Sequence, residues 1–93
     1  MSKILPESEA ASRLEKLDAW SLDGVEIRRQ FEFRDFVAAM AFVNAVALRA
    51  EAANHHPDID IRWNKVLLRL STHSAGGLTE ADFALAEKIN ALA

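Results

Sequence analysis

Ninety-three residues that are 51% hydrophobic make one domain, residues 1–93, with apolar surface for a single core and no room for a second. The formal net charge is −3, from 11 Lys and Arg against 14 Asp and Glu, with no basic cluster, which argues against binding nucleic acid phosphates. The chain has no cysteine, so disulfides, thiolate catalysis and cysteine-built zinc sites are excluded, as suits a reducing cytoplasm.

In chain order, Met1 to Glu9 lacks the apolar core of a signal peptide, and its first few residues are expected to be unordered. Ser8 to Leu17 reads as a helix, with Ala11, Leu14 and Leu17 on one stripe. Trp20 to Leu22 then reads as a short strand, and Asp23-Gly24 as a tight turn. Val25, Ile27, Phe31 and Phe33 alternate with polar residues, the pattern of a half-buried antiparallel strand. Arg29 interrupts the apolar side, which suggests a sheet edge. Asp35 suits an N-cap for a helix running to about Ala53. Its stripe is Phe36, Met40, Val43, Ala47 and Ala50, and Val37, Phe42 and Val46 form a second apolar flank. That much apolar surface suggests packing on a sheet with a further contact to another subunit.

Pro57 stops this helix and biases His56 towards extended backbone, so His55 and His56 fall where helix gives way to strand. Ile59, Ile61 and Trp63 form one face of a third strand. After a turn near Asn64 and Lys65, Val66, Leu68 and Leu70 form a fourth, with Leu67 on its polar side. A loop over Ser74 to Gly77 leads to a helix begun by Thr79, with Phe83, Ala86, Ile89 and Leu92 buried. The order αββαββα predicts an α+β fold: a four-stranded antiparallel sheet with three helices on one face. No apolar run approaches membrane-spanning length, so a soluble, cytoplasmic protein with no membrane partner is expected.

The only three histidines, His55, His56 and His73, sit at element ends. Imidazole, with an ordinary pKa near 6.5, both gives and takes protons at neutral pH, so a proton-transfer site is the leading reading. The plainer readings are specific. Glu51 is as readily a solvated helix residue, and Asp82 a capping-box acid after Thr79. Pro57 is a helix stop, and Trp63 a core or cleft-lining aromatic. Three imidazoles and a carboxylate would also suit zinc. Against that, adjacent side chains in extended backbone diverge, and no two histidines have helical i, i+4 spacing, although Glu51 and His55 do. Ser71 and Ser74 flank His73 without a nucleophile elbow, which sets aside a serine hydrolase.

The run Glu51, His55, His56, Pro57, Trp63, His73 and Asp82 resembles the signature of the pterin-4a-carbinolamine dehydratases. Phe31, Phe33, Phe36 and Ala39, together with Thr72, His73, Gly77, Leu78, Thr79 and Asp82, resemble the family's two strand-to-helix segments. The likeness spans about residues 20 to 92. Trp63 stands where the family often has tyrosine. The resemblance implies dehydration of 4a-hydroxytetrahydropterin, the product of aromatic amino acid hydroxylases, with no metal or organic cofactor. It also implies a homodimer or homotetramer formed through the sheet edge and helices.

The resemblance makes His55 and His73 the proton-transfer pair, and His56 a group that binds and orients substrate. Glu51 would raise the basicity of His55, Pro57 and Trp63 would help to line the substrate site, and Asp82 would orient His73 or the pterin. Other family members serve as dimerisation cofactors of a homeodomain transcription factor. A non-catalytic interaction module is therefore the alternative.

Overall fold

The structure is a computed structural model that describes residues 3–93. The expectation of disorder at the extreme N-terminus falls in part on Met1 and Ser2, which lie outside the described residues. From Leu5 the chain is pinned, because the Leu5 N–H donates to the Leu78 carbonyl at 2.9 Å. The elements are α1 (Glu7–Glu15), β1 (Ser21–Asp23), β2 (Glu26–Glu32), α2 (Phe36–Ala53), β3 (Asp58–Arg62), β4 (Lys65–Leu70) and α3 (Glu80–Asn90). The strands form one antiparallel sheet in the order β1-β2-β4-β3.

Register decides which side chains share a face. Ile27 pairs with Leu70 and Phe31 with Val66, while Ile59 pairs with Leu68 and Ile61 with Val66. All of these point to the helix side. Val66, Leu68 and Leu70 have no exposed surface, and burying each such side chain is worth about 1.5–3 kcal/mol. The opposite face carries Arg28, Arg69 and Asp58 in one row and Gln30, Leu67 and Asp60 in the next. It has no helix over it.

Helix α2 starts at Asp35, whose side chain accepts the Ala38 N–H at 2.8 Å. Its buried residues are Ala39, Phe42, Val46 and Ala50. The expected stripe is thus rotated: Phe36 is exposed, and Val37 and Leu48 are 76% and 74% exposed. By length and composition this helix could cross a membrane, with a mean hydropathy of 1.5 over 18 residues, contrary to the sequence reading. Here it packs on the sheet and on α3.

Arg29 lies just beyond the end of the β1 ladder, whose last pair is Ser21 with Arg28, so here β2 is paired only with β4 and its other side is an edge, as expected. Its guanidinium lies 4.3 Å from the centroid of the Phe31 ring, a cation–π contact, and donates to Asn90 Oδ1 at 2.7 Å. Trp20 Nε1 donates to the same oxygen at 2.8 Å, while Asn90 Nδ2 reaches the Asp18 carbonyl at 3.1 Å. The C-terminal end of α3 is tied in this way to β2 and to the chain between α1 and β1.

Both hairpin loops fall one residue away from their expected places. Between β1 and β2 the loop is Gly24-Val25, with Gly24 at φ +63°. Val25 therefore lies outside the strand and is 64% exposed. Between β3 and β4 the loop is Trp63-Asn64, with Trp63 at φ +51°, a region that costs a non-glycine residue about 1–2 kcal/mol. Asn64 holds this loop in place. Its Nδ2 donates to the Phe33 carbonyl at 2.8 Å, and its own carbonyl accepts the Phe33 N–H at 2.9 Å.

Candidate active site

Three chain reversals build the site. At the end of α2, Asn54 adopts left-handed backbone at φ +50°, a conformation that asparagine tolerates at helix ends. The Asn54 N–H then donates to the Glu51 carbonyl and the His55 N–H to the Ala50 carbonyl, each at 3.1 Å. This double bond pattern is a Schellman turn, and it delivers His55 at a fixed position. After β4, Thr72 and Gly77 form an isolated bridge that closes a short loop beginning at His73. The carbonyl of Thr72 accepts the N–H groups of Ala75 and Gly76 at 3.0 and 2.9 Å. At the start of α3, Thr79 and Asp82 form a reciprocal capping box, as the sequence suggested.

These reversals meet at an open cleft of about 230 Å³. Asn54, His55 and His56 line one part of it, and Ser71, Thr72, His73 and Ser74 the rest. A larger hollow of about 350 Å³ lies between α1 and α3, lined by Glu9, Arg13, Lys16 and Glu87 among others. It contains no histidine, whereas all three imidazoles line the smaller cleft, which makes that cleft the candidate site.

Asp82 is the centre of the hydrogen bonding although its side chain is fully buried. One oxygen, Oδ1, lies 2.6 Å from Nε2 of His55. The other, Oδ2, accepts the Thr79 N–H at 2.9 Å and the Thr72 hydroxyl at 2.9 Å. A buried carboxylate is tolerated only with such partners. His55 is 14% exposed, which leaves it one edge towards the cleft. Glu51 instead pairs with His56, its Oε2 2.5 Å from His56 Nε2, and both side chains are exposed.

The structure departs from the sequence expectations at several residues. Glu51 does not reach His55, because the left-handed turn at Asn54 ends the helix before the i, i+4 relation can act. Asp82 holds His55, not His73, and sits behind the cleft wall. His73 lies in the turn after β4. Pro57 is half-buried between the histidines and β3 and is not part of the cleft lining. Trp63 is 67% exposed at the far tip of the β3–β4 hairpin. By strand rise that is about 20 Å from Pro57, so it does not line the histidine cleft of its own chain. Asn54 and Thr72 were not singled out for the site; the only local signals for them were an asparagine at a helix end and a threonine next to a histidine. Among the described residues, no three His, Asp or Glu side chains come together in a metal-holding arrangement.

Residues 3–92 match the sequence model of the pterin 4 alpha carbinolamine dehydratase family. The chain belongs to that family. A protein of Acidobacterium capsulatum provisionally named pterin-4-alpha-carbinolamine dehydratase is 60% identical over 92 residues, 99% of each chain. One of Roseiflexus castenholzii with the same provisional name is 54% identical over 90 residues, 97% of each. Among solved structures, a transcriptional coactivator/pterin dehydratase from Brucella melitensis is 43% identical, with a TM-score of 0.93 over 98% of this chain and 99% of that one. A pterin dehydratase-like protein identified as a RuBisCO assembly factor is 26% identical with a TM-score of 0.64, covering 78% of this chain and 84% of that one. The pterin-4a-carbinolamine dehydratase fold thus also carries names that are not those of enzymes.

Proposed function

We propose that this chain, acting as one domain in the cytoplasm, dehydrates 4a-hydroxytetrahydropterin to quinonoid dihydropterin, recycling the pterin used by an aromatic amino acid hydroxylase. The observation that carries this reading is the placement of His55 and His73 on two sides of one cleft, with His55 held by the buried Asp82. The reaction needs one base to take the proton from N5 and one acid to protonate the departing 4a hydroxyl. The N5–H electron pair becomes the new N5=C4a bond, and the hydroxyl leaves as water. Two imidazoles are sufficient for both transfers, so no metal or organic cofactor enters the scheme. His56, steadied by Glu51 at the rim, binds and orients the pterin.

The test is direct. Purified protein added to enzymatically generated 4a-hydroxytetrahydropterin should speed its decay, before and after treatment with a strong chelator. Decay no faster than in buffer would overturn the enzyme reading in favour of an interaction module. A loss on chelation that zinc restores would revive a metal mechanism.

The exposed Val37 and Leu48 of α2 support a homodimer or homotetramer with this helix at a subunit contact, because large apolar side chains on a free helix face favour association. Light scattering should then give a mass of at least twice 10.3 kDa. Leu48→Glu should shift the distribution towards monomer. A wild-type protein that is already monomeric would contradict this assembly.

A further inference from the structure

We propose that Thr72 is a positioning residue that fixes which nitrogen of His55 accepts the proton, making Nδ1 of His55 the base of the site. The inference rests on the dehydratase reading above and deepens it. It follows from the direction of a buried hydrogen-bond chain.

Two donors in the chain have no choice. The Thr79 N–H donates to Asp82 Oδ2 at 2.9 Å, and the Ala81 N–H donates to Thr79 Oγ1 at 3.3 Å. Thr79 and Thr72 hydroxyl oxygens are 2.7 Å apart, and Thr72 Oγ1 is 2.9 Å from Asp82 Oδ2. With Asp82 ionised, its oxygens only accept, so the Thr72 hydroxyl donates to Oδ2. Its oxygen then receives the Thr79 proton. The chain runs one way, from the Ala81 amide through Thr79 and Thr72 to the carboxylate.

Two donors on Oδ2 leave no place for a proton there. Oδ1 of the ionised carboxylate only accepts, so across the 2.6 Å contact His55 Nε2 is the donor and carries the proton. Neutral His55 is therefore the Nε2–H tautomer. Its lone pair is on Nδ1, which no hydrogen bond occupies among the described residues. When Nδ1 takes the N5 proton, the imidazolium forms against a buried carboxylate that already faces it, an arrangement that needs no reorganisation. His73 lies in the exposed turn and has no carboxylate partner among the described residues, which leaves it to supply the proton to the leaving hydroxyl.

Thr72 links the two histidines. Its side chain holds Asp82 and through it His55, while its backbone closes the loop that presents His73. Thr72→Val removes only the hydroxyl and keeps the backbone closure, so it isolates the first role. Removing one hydrogen bond to a charged group corresponds to about a ten- to hundredfold change. Thr72→Val should accordingly lower kcat by about that factor with KM for the pterin held within about twofold, and Thr72→Ser should recover most of the loss.

The readout that a merely structural role would not move is the tautomer. Two-bond ¹⁵N–¹H correlation spectra of uniformly labelled wild-type protein at about pH 8, above ordinary imidazole titration, should show His55 as Nε2–H. In Thr72→Val the same signal should move towards a tautomer mixture. An Nδ1–H pattern in the wild type, a valine variant as fast as wild type, or a serine variant as slow as the valine one would each overturn the proposal. If the wild type proves inactive on the pterin, the dehydratase reading fails, and the tautomer still judges the proton arrangement separately. If Thr72→Val does not fold, the wild-type tautomer and the serine variant decide.

Discussion

His55→Ala and His73→Ala are each expected to lower kcat by about a hundred- to ten-thousandfold, the usual contribution of a positioned acid or base, with KM changed far less. In the proposed mechanism each variant removes one of the two proton transfers and leaves the cleft open. The double variant should be no slower than about one single loss, because once one transfer fails the other cannot complete the elimination. His56→Ala should behave differently and raise KM, since its only observed partner is the exposed Glu51. Steady-state kinetics at saturating and limiting pterin separate the two patterns. Retention of half the activity by His55→Ala would remove His55 from the mechanism.

Asp82→Ala is expected to cost stability and activity together. It deletes half of the capping box of α3, the bond from the Thr79 N–H. The buried Thr79 N–H and Thr72 hydroxyl are then left without their shared acceptor, at about 1–3 kcal/mol for each unsatisfied buried group. A loss of at least about 2 kcal/mol corresponds, in a domain of this size, to a Tm lower by on the order of 10 °C or more. Asp82→Asn keeps the shape and should recover part of that Tm. It should not recover activity, because a neutral amide does not stabilise the imidazolium of His55. Thermal unfolding followed by circular dichroism, paired with the dehydratase assay below the transition, reads both effects. A wild-type Tm in Asp82→Ala would show that the buried network contributes little.

The order of elements was legible because each of the three longer strands carried a clear alternation and each main helix a start signal. Val66, Leu68 and Leu70 alternate with Lys65, Leu67 and Arg69, and Asp35 and Thr79 cap as their chemistry requires. The phase of α2 was not legible. Its apolar residues run nearly all round, so a 3.6-residue period fits several stripes, and contact with the sheet selects Ala39, Phe42, Val46 and Ala50. For Arg29 the edge position was legible but its partner was not: the β1 ladder stops at Arg28, and Asn90, 61 residues later, receives the guanidinium.

At the site, the identities of the three histidines and of Asp82 were readable, but their pairing was not. Asp82 is 27 residues from His55, and nothing local announces the contact. Glu51 and His55 have ideal helical spacing, yet the left-handed Asn54 cancels it. Thr72 was visible only as a neighbour of His73. Its importance depends on which carboxylate the fold brings beneath it.

The two tryptophans serve different optical purposes. The chain has no tyrosine, so its near-ultraviolet emission comes from Trp20 and Trp63. Trp20 is 6% exposed and its indole N–H is held by Asn90, whereas Trp63 is 67% exposed. Iodide should therefore quench a red-shifted component from the hairpin tip and leave a blue-shifted one from the core. The first component reports on anything that covers the far end of β3 and β4. The second reports on whether the interior is still packed, and no added label is needed for either.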